Sequence, residues 1–360
     1  MEVLDLNMNM QLFASEMDSL KMSDDNDYRQ ELLMWLNERM LDKGSFMKIY
    51  PKEKNIGKGA TSTIYKSGNK SVRVSGKKEE DFGVLVTELN RYRNETEIME
   101  KLQGSEYIVK LFDTFVVGAA VCHIMEYADG RSLEKHVPEK GMYVKDALAC
   151  MYQLFKGLEF MHSNGVIHGD IKPPNVLVFS NGLLKITDFD VSLRKQGSNF
   201  IDADGEEIKK YEMFGTVAFM APEVLRQGEI ENIDDMFKLD VFSAGRTFLY
   251  LLTKMEDILI QSPLKIIMQT LQESNMTNAL NIERKVKGRS CKRCASMFRY
   301  TLQYNPENRK TVDWILQRME NWTWRPGRYG FNEEKSIRIV KDMLDGPSEL
   351  VENLNVKLRF

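Results

Sequence analysis

Apolar residues at Leu32, Leu33, Trp35, Leu36 and Met40 cluster on one side of a helical projection and predict a helix over residues 28–42, ahead of the main domain. From Phe46 to Tyr127 the pattern shortens to β-type runs around a single helix. Residues 61–67 and 70–75 flank Gly68-Asn69, a two-residue turn pair, and predict a hairpin. Residues 88–102 predict a helix, and 108–116 and 120–125 predict two more strands. After Gly130 the chain turns mostly helical. Ala147, Met151, Leu154, Leu158 and Met161 step by four and three along one stripe, and Asn164-Gly165 offers a left-handed stop. Short β-like runs follow at 166–167 and 176–186, the latter turning at Asn181-Gly182, and buried helices are predicted at 236–254 and 311–319. The outline is α+β: an extension (1–45), a small β-rich lobe (46–127), a larger helical lobe (128–325) and a tail (326–360).

Composition narrows this outline without changing it. The chain has 360 residues, 42% hydrophobic and 29% charged, enough for one large two-lobed domain or two ordinary ones. A net charge of −3 gives no general drive toward nucleic acid or anionic membrane. No apolar run reaches the roughly 20 residues of a membrane span, and the opening MEVLDLNMNM lacks the pattern of a secretory signal. Four cysteines make no disulfide framework, so an intracellular location is expected, cytoplasmic rather than nuclear. Cys291 and Cys294 form a lone C-x-x-C pair, read as reduced thiols because structural zinc needs further ligands. The basic run 284–293 reads as a solvated loop.

Candidate chemistry concentrates at His168-Gly169-Asp170-Ile171-Lys172-Pro173-Pro174-Asn175. Phosphoryl transfer needs a carboxylate to orient the attacking hydroxyl, a cation near the transferred group and oxygen ligands for magnesium. Asp170, Lys172 and Asn175 supply one of each, and Asp188, in Asp188-Phe189-Asp190, offers a second metal-binding carboxylate.

These segments resemble the eukaryotic-type protein kinase superfamily, with its H-R-D-x-x-x-x-N catalytic loop and D-F-G metal motif. Residues 215–223, Gly-Thr-Val-Ala-Phe-Met-Ala-Pro-Glu, resemble the end of its activation segment. Asp240 resembles the aspartate that braces the catalytic loop, and Arg309 the arginine that pairs with Glu223. Upstream, Gly57-Lys58-Gly59-Ala60-Thr61-Ser62 resembles the glycine-rich loop that covers phosphates, with Ser62 in place of the third glycine. The resemblance spans about residues 50–320 and implies a two-lobed kinase fold using ATP and Mg²⁺ on protein substrates.

Residue by residue, it implies that Asp170 handles the substrate proton, Lys172 steadies the phosphate, and Asn175 and Asp188 hold Mg²⁺. The nucleotide would meet Ile56, Gly57 and Gly59, with Ile64, Ser71 and Leu177 around adenine. The Glu126 carbonyl and the backbone of Ala128 would form the hinge beside the gatekeeper Met125. Met99, Leu111, His168 and Phe189 match the internal spine, His168 by packing rather than proton transfer. Lys172 two residues after Asp170, together with Thr216, implies serine/threonine specificity.

Three positions depart from the pattern. With Gly68-Asn69 as the turn, Ile64 opposes Arg73, which places arginine where the family has a lysine paired to Glu95; Lys77 fills that place only through a longer, irregular turn. Gly169 replaces the arginine that reads an activation-segment phosphate, and Asp190 replaces the D-F-G glycine, predicting a stiffer motif. The alternative these departures raise is a pseudokinase, a scaffold or allosteric partner of kinase fold. A small-molecule kinase of related fold fits residues 215–223 less well.

Overall fold

The computed structural model describes residues 26–59, 62–76, 82–118, 120–211, 215–254, 292–322 and 330–345. They group into two compact units, the first formed by residues up to 103, 109–127 and 203–206, the second by 104–108, 128–202 and 207 onward.

Among the described residues, the first unit is a five-stranded antiparallel sheet with three helices. In chain order these are α1 (Asn26–Arg39), α2 (Lys43–Ile49), β1 (Lys54–Lys58), β2 (Ser62–Ser67), β3 (Lys70–Ser75), α3 (Phe82–Lys101), β4 (Leu111–Val117) and β5 (Ala120–Glu126). The sheet order is β1-β2-β3-β5-β4. Gly68 at φ +58 closes the β2–β3 turn, a conformation that glycine adopts without steric cost. The register then runs Ser67↔Lys70 through Ile64↔Arg73 to Ser62↔Ser75, so Arg73 does face Ile64. Lys77 lies outside the described residues.

The predicted first helix is present, and its apolar side has a specific use. Leu32, Trp35 and Leu36 pack with Leu89 and Tyr92 of α3 and with Val116 and Val121 of the sheet. Arg93 of α3 reaches Glu31 at 3.0 Å, and Leu41 N–H donates to the Val116 carbonyl at 3.0 Å. Residues 31–41 of the extension are therefore built into the core of this unit. Helix α2, absent from the sequence expectations, begins where the Asp42 side chain accepts from Ser45 N–H at 2.9 Å, and it adds Phe46 to a cluster with Tyr50, Tyr65 and Val72.

The second unit is mainly helical: α4 (Val144–Ser163), β6 (Val166–Ile167), β7 (Val176–Val178), β8 (Leu184–Ile186), β9 (Leu193–Gln196), β10 (Asn199–Ile201), α5 (Pro222–Arg226), α6 (Lys238–Thr253), α7 (Lys292–Thr301), α8 (Val312–Glu320) and α9 (Glu333–Leu344). Helix α4 carries the predicted stripe in its buried face and ends with Gly165 at φ +68. β7 and β8 form the predicted hairpin, with Gly182 at φ +89 in its turn. Helices α5 and α7, the β9–β10 hairpin and helix α9 had no counterpart among the expectations. The β9–β10 hairpin pairs with β6 through Val166↔Arg194 and Ile167↔Leu193. Helix α9, in the tail, packs on α4, with Tyr107 Oη donating to Glu333 at 2.6 Å. The described cysteines Cys122, Cys150 and Cys294 are buried, and burial pushes Cys122 up to about 12. Cys291 and most of the 284–293 run lie outside the described residues.

Candidate active site

In the second unit the catalytic-loop residues converge on one carboxylate. Asp170 is 9% exposed and held from several directions. Its Oδ1 accepts from Thr216 N–H at 2.8 Å, and its Oδ2 accepts from Lys172 Nζ at 2.5 Å and from Asn175 Nδ2 at 3.4 Å. Lys172 Nζ also donates to Thr216 Oγ1 at 2.7 Å, so the ammonium bridges the catalytic loop and the start of the 216–223 segment. Asn175 Nδ2 donates to the Asp170 carbonyl at 3.0 Å, which leaves its side-chain oxygen as the ligating atom.

Asp188 is brought to this cluster through the backbone. Thr187 N–H donates to the Asn175 carbonyl at 3.0 Å, and the Thr187 carbonyl lies 3.1 Å from His168 Nε2. The residue immediately before Asp188 is thus bonded to both ends of the catalytic loop. Asp188 itself sits at φ +72, a left-handed conformation that aspartate tolerates better than most residues. Asp190, which replaces the glycine of the motif, has no positive φ, so the left-handed conformation falls on the motif's first residue.

His168 acts by position. It is fully buried, its Nδ1 accepts from Asp170 N–H at 3.2 Å, and its Nε2 therefore carries the proton donated to Thr187. The ring packs against Phe189 with centroids 5.3 Å apart. Below it, Asp240 accepts from His168 N–H and Gly169 N–H, both at 2.9 Å, and its Oδ2 is 2.9 Å from His162 Nε2. Burial opposes the Asp240 charge, but the His162 contact and these backbone donors outweigh it and hold the carboxyl below its ordinary value. Gly169 at φ +80 occupies a conformation that suits glycine, with no side chain to meet a phosphate.

The 216–223 segment is tied down independently. Arg309 donates to both Glu223 oxygens, at 2.5 and 2.7 Å, and to the carbonyls of Gln303 and Tyr304. Ser243 and Arg246 of α6 donate to the carbonyls of Phe219 and Ala218, each at 2.9 Å. Leu177, predicted beside adenine, is half-buried on β7.

In the first unit the remaining predicted residues fall on β1–β3, α3 and β5. Gly57 pairs with Ile64, and the shift between Asn55 and Gly57 makes Ile56 the extra, bulged residue, exposed at the strand edge. Gly59 N–H donates to the Ser62 carbonyl at 2.8 Å, closing the base of the loop; residues 60 and 61 at its tip lie outside the described residues. Ser71 Oγ donates to the Glu126 carbonyl at 3.0 Å, so a sheet side chain reaches the predicted hinge carbonyl. Met125 is buried beside them, and Ala128 is half-buried in the second unit. Arg73 makes an ion pair with Glu95, 7% and 1% exposed respectively. Sequence reasoning missed His123 on β5, which contacts Arg73, and Thr96 on α3, which contacts His123. The local signal for His123 was a polar residue inside an apolar run, and Thr96, between Glu95 and Glu97, carried none.

Donor chemistry fits magnesium. Among the described residues no group of three or more His, Cys, Asp or Glu could hold a metal ion. Magnesium bound to a nucleotide needs only one or two protein oxygens, with phosphates and water completing its shell. Asn175 and Asp188 supply that number.

Comparison with known proteins agrees with this geometry. The family model for the protein kinase domain matches residues 50–320. A probable serine/threonine-protein kinase of Dictyostelium discoideum is 26% identical over 280 residues, 76% of this chain and 52% of the relative. Germinal center kinase 3 of Caenorhabditis elegans is 28% identical over 74% of this chain and 46% of its own length. Serine/threonine-protein kinase STE20 of Kluyveromyces lactis is 28% identical over 76% of this chain and 26% of its own. The chain thus spans about half, or less, of the length of these relatives. With the Asp170 cluster, the Glu223–Arg309 clamp and a family match over most of its length, this chain belongs to the protein kinase family.

Proposed function

We propose that the chain transfers the γ-phosphoryl group of ATP to serine or threonine hydroxyls of protein substrates, with Arg73 serving in the phosphate-binding role. The observation that carries this reading is the fixed Asp170 carboxylate, held by Thr216 N–H, Lys172 and Asn175. Asp170 orients the substrate hydroxyl and accepts its proton. Lys172, already beside Asp170, donates to the transferred phosphoryl group and offsets its charge. Asn175 and Asp188 are the residues that would hold Mg²⁺, which neutralises phosphate charge. Gly57 and Gly59 let backbone N–H groups approach the phosphates. Catalysis of this kind is mainly positioning and electrostatic stabilisation.

One observation favours the second reading, a nucleotide-poor scaffold: the Arg73 guanidinium is buried and engaged by Glu95 and His123. Two measurements separate the readings. Stabilisation of the fold by ATP with Mg²⁺ reports binding, since a ligand selective for the native state raises its melting temperature. Phosphate incorporation into a generic serine/threonine substrate, abolished by Asp170→Ala, reports chemistry. Nucleotide binding with no Asp170-dependent transfer selects the scaffold.

A further inference from the structure

Arginine at position 73 has a companion that a lysine would not need. Arg73 on β3 lies opposite His123 on the neighbouring strand β5, and Arg73 Nη2 is 3.2 Å from His123 Nδ1. A guanidinium has only donors, so Nδ1 must accept, and the ring proton therefore resides on Nε2. Nε2 lies 2.9 Å from Thr96 Oγ1, and the Thr96 hydroxyl donates to the Tyr92 carbonyl at 2.8 Å. Proton direction is thus set along the whole chain: Arg73 to His123, His123 to Thr96, Thr96 to the backbone of α3. His123 and Thr96 are both fully buried. Burial first, then the neighbouring Arg73 charge, hold His123 well below its ordinary value, so the ring stays neutral and able to accept.

Glu95, from the same helix as Thr96, meets the same Nη2 of Arg73 that faces His123. With the carboxylate coming from the helix and the imidazole acceptor from the adjacent strand, one guanidinium nitrogen is held from two elements, and the strand acceptor adds a second direction that fixes the rotation of the planar, branched head. A lysine ammonium, compact and rotationally symmetric, has no such orientation to set.

We infer that His123, seated by Thr96, is a positioning residue that sets the orientation of the Arg73 guanidinium toward the nucleotide phosphates, and that this relay adapts the site to arginine. The inference rests on the nucleotide reading above. It places the device within one structural unit, where α3 reports its position to Arg73 through both Glu95 and Thr96.

The test uses the full chain and two probes: a non-hydrolysable ATP analogue with Mg²⁺, and adenosine, which has no phosphates. Calorimetric affinities are measured for wild type, His123→Leu, His123→Gln, Thr96→Val, Arg73→Lys and Arg73→Lys/His123→Leu. His123→Leu should weaken the analogue about tenfold, the scale of one hydrogen bond to a charged group, and leave adenosine within about twofold. His123→Gln keeps an acceptor and a donor and should recover most of the loss. In the Arg73→Lys background the same leucine change should cost less than about twofold, since the acceptor has no guanidinium to orient.

Equal weakening of analogue and adenosine would reduce His123 to a structural residue and overturn the inference. So would an equal loss in the arginine and lysine backgrounds, or no loss in either. If His123→Leu does not fold, the Gln and Val variants decide the same question, Thr96→Val then being expected to weaken the analogue selectively. Failure of the wild-type chain to bind the analogue would instead remove the nucleotide reading itself, and this inference with it.

Discussion

A Cβ on Gly215 would stand 2.9 Å from the Asp170 Oδ1 and 2.8 Å from the Gly169 carbonyl oxygen, with Gly215 at φ +88. The carboxylate to which the proposed transfer is assigned is therefore walled by a residue that has no room for a side chain. Gly215→Ala should cost about 1–2 kcal/mol in backbone strain and close contact. It should also displace Asp170 enough to lower kcat by about a hundredfold. Initial rates together with urea unfolding check both. A variant with unchanged kcat would show that the contact is irrelevant to turnover.

Glu223 and Arg309 form a fully desolvated, two-bonded pair. Removing one partner leaves a buried charge without its counter-ion, so Glu223→Ala or Arg309→Ala should lose about 3–5 kcal/mol of stability. Arg309→Lys should fall between, because a point donor cannot reproduce the fork. Denaturant midpoints measure this. Losses below about 1 kcal/mol, the range of surface pairs, would contradict the assignment.

His123 also predicts a pH dependence. Its value in the fold lies well below the 6.5 of an unperturbed imidazole, so below pH 6.5 the unfolded chain binds a proton that the native state refuses. Stability should therefore be level above that pH and decline as pH falls from 6.5 toward the native value. Asp240, whose native value is lowered from 3.8, adds a loss only below that pH. The difference in melting temperature between wild type and His123→Gln, followed from pH 7.5 to 5, isolates the histidine. A constant difference would contradict its buried neutral state.

Regulation by phosphate on the 188–223 segment is not expected. Gly169 has no cation to read one, Ser192 and Tyr211 are buried, and Thr216 is bonded to Lys172 beside Asp170. Ser198, in the β9–β10 turn, is the exposed hydroxyl among them. Ser198→Ala and Ser198→Glu should leave the initial rate within about twofold, as exposed substitutions far from special contacts usually do. Activity that rises with measured phosphate occupancy at this site would refute the expectation.

Residues 26–41 should be required for stability of the first unit. Leu32 is fully buried against Leu36, Leu89 and their neighbours. Leu32→Ala should cost about 2–5 kcal/mol, and Trp35→Ala about 3–5 kcal/mol. Far-ultraviolet and fluorescence unfolding curves provide the measurement. A change smaller than about 0.5 kcal/mol would mean that the helix is not docked in solution.

Much of this molecule is legible locally. A two-residue turn sets antiparallel register, so Gly68-Asn69 alone places Arg73 opposite Ile64. The three-and-four stepping from Ala147 to Met161 marks the buried face of α4, and the spacing of Asp170, Lys172, Asn175 and Asp188 marks the candidate chemistry. Each of these depends on dihedral periodicity, on neighbours a few residues apart or, for Asp188, on a short motif at a fixed distance along the chain, all of which the order of residues specifies directly.

What remained hidden depends on which element lies beside which. β3 neighbours β5 rather than β4, so His123 meets Arg73 across fifty positions of chain. Thr216 reaches Asp170 across forty-six, and α1 settles on α3 through apolar residues that show only that some face is buried. The left-handed angle at Asp188 rather than Asp190 has the same origin, since the backbone bond from Thr187 to Asn175 fixes the path of the chain there. Periodicity tells a segment which of its sides must leave water. Only the packed structure, by joining segments whose closure entropy the whole core must offset, decides what each side meets.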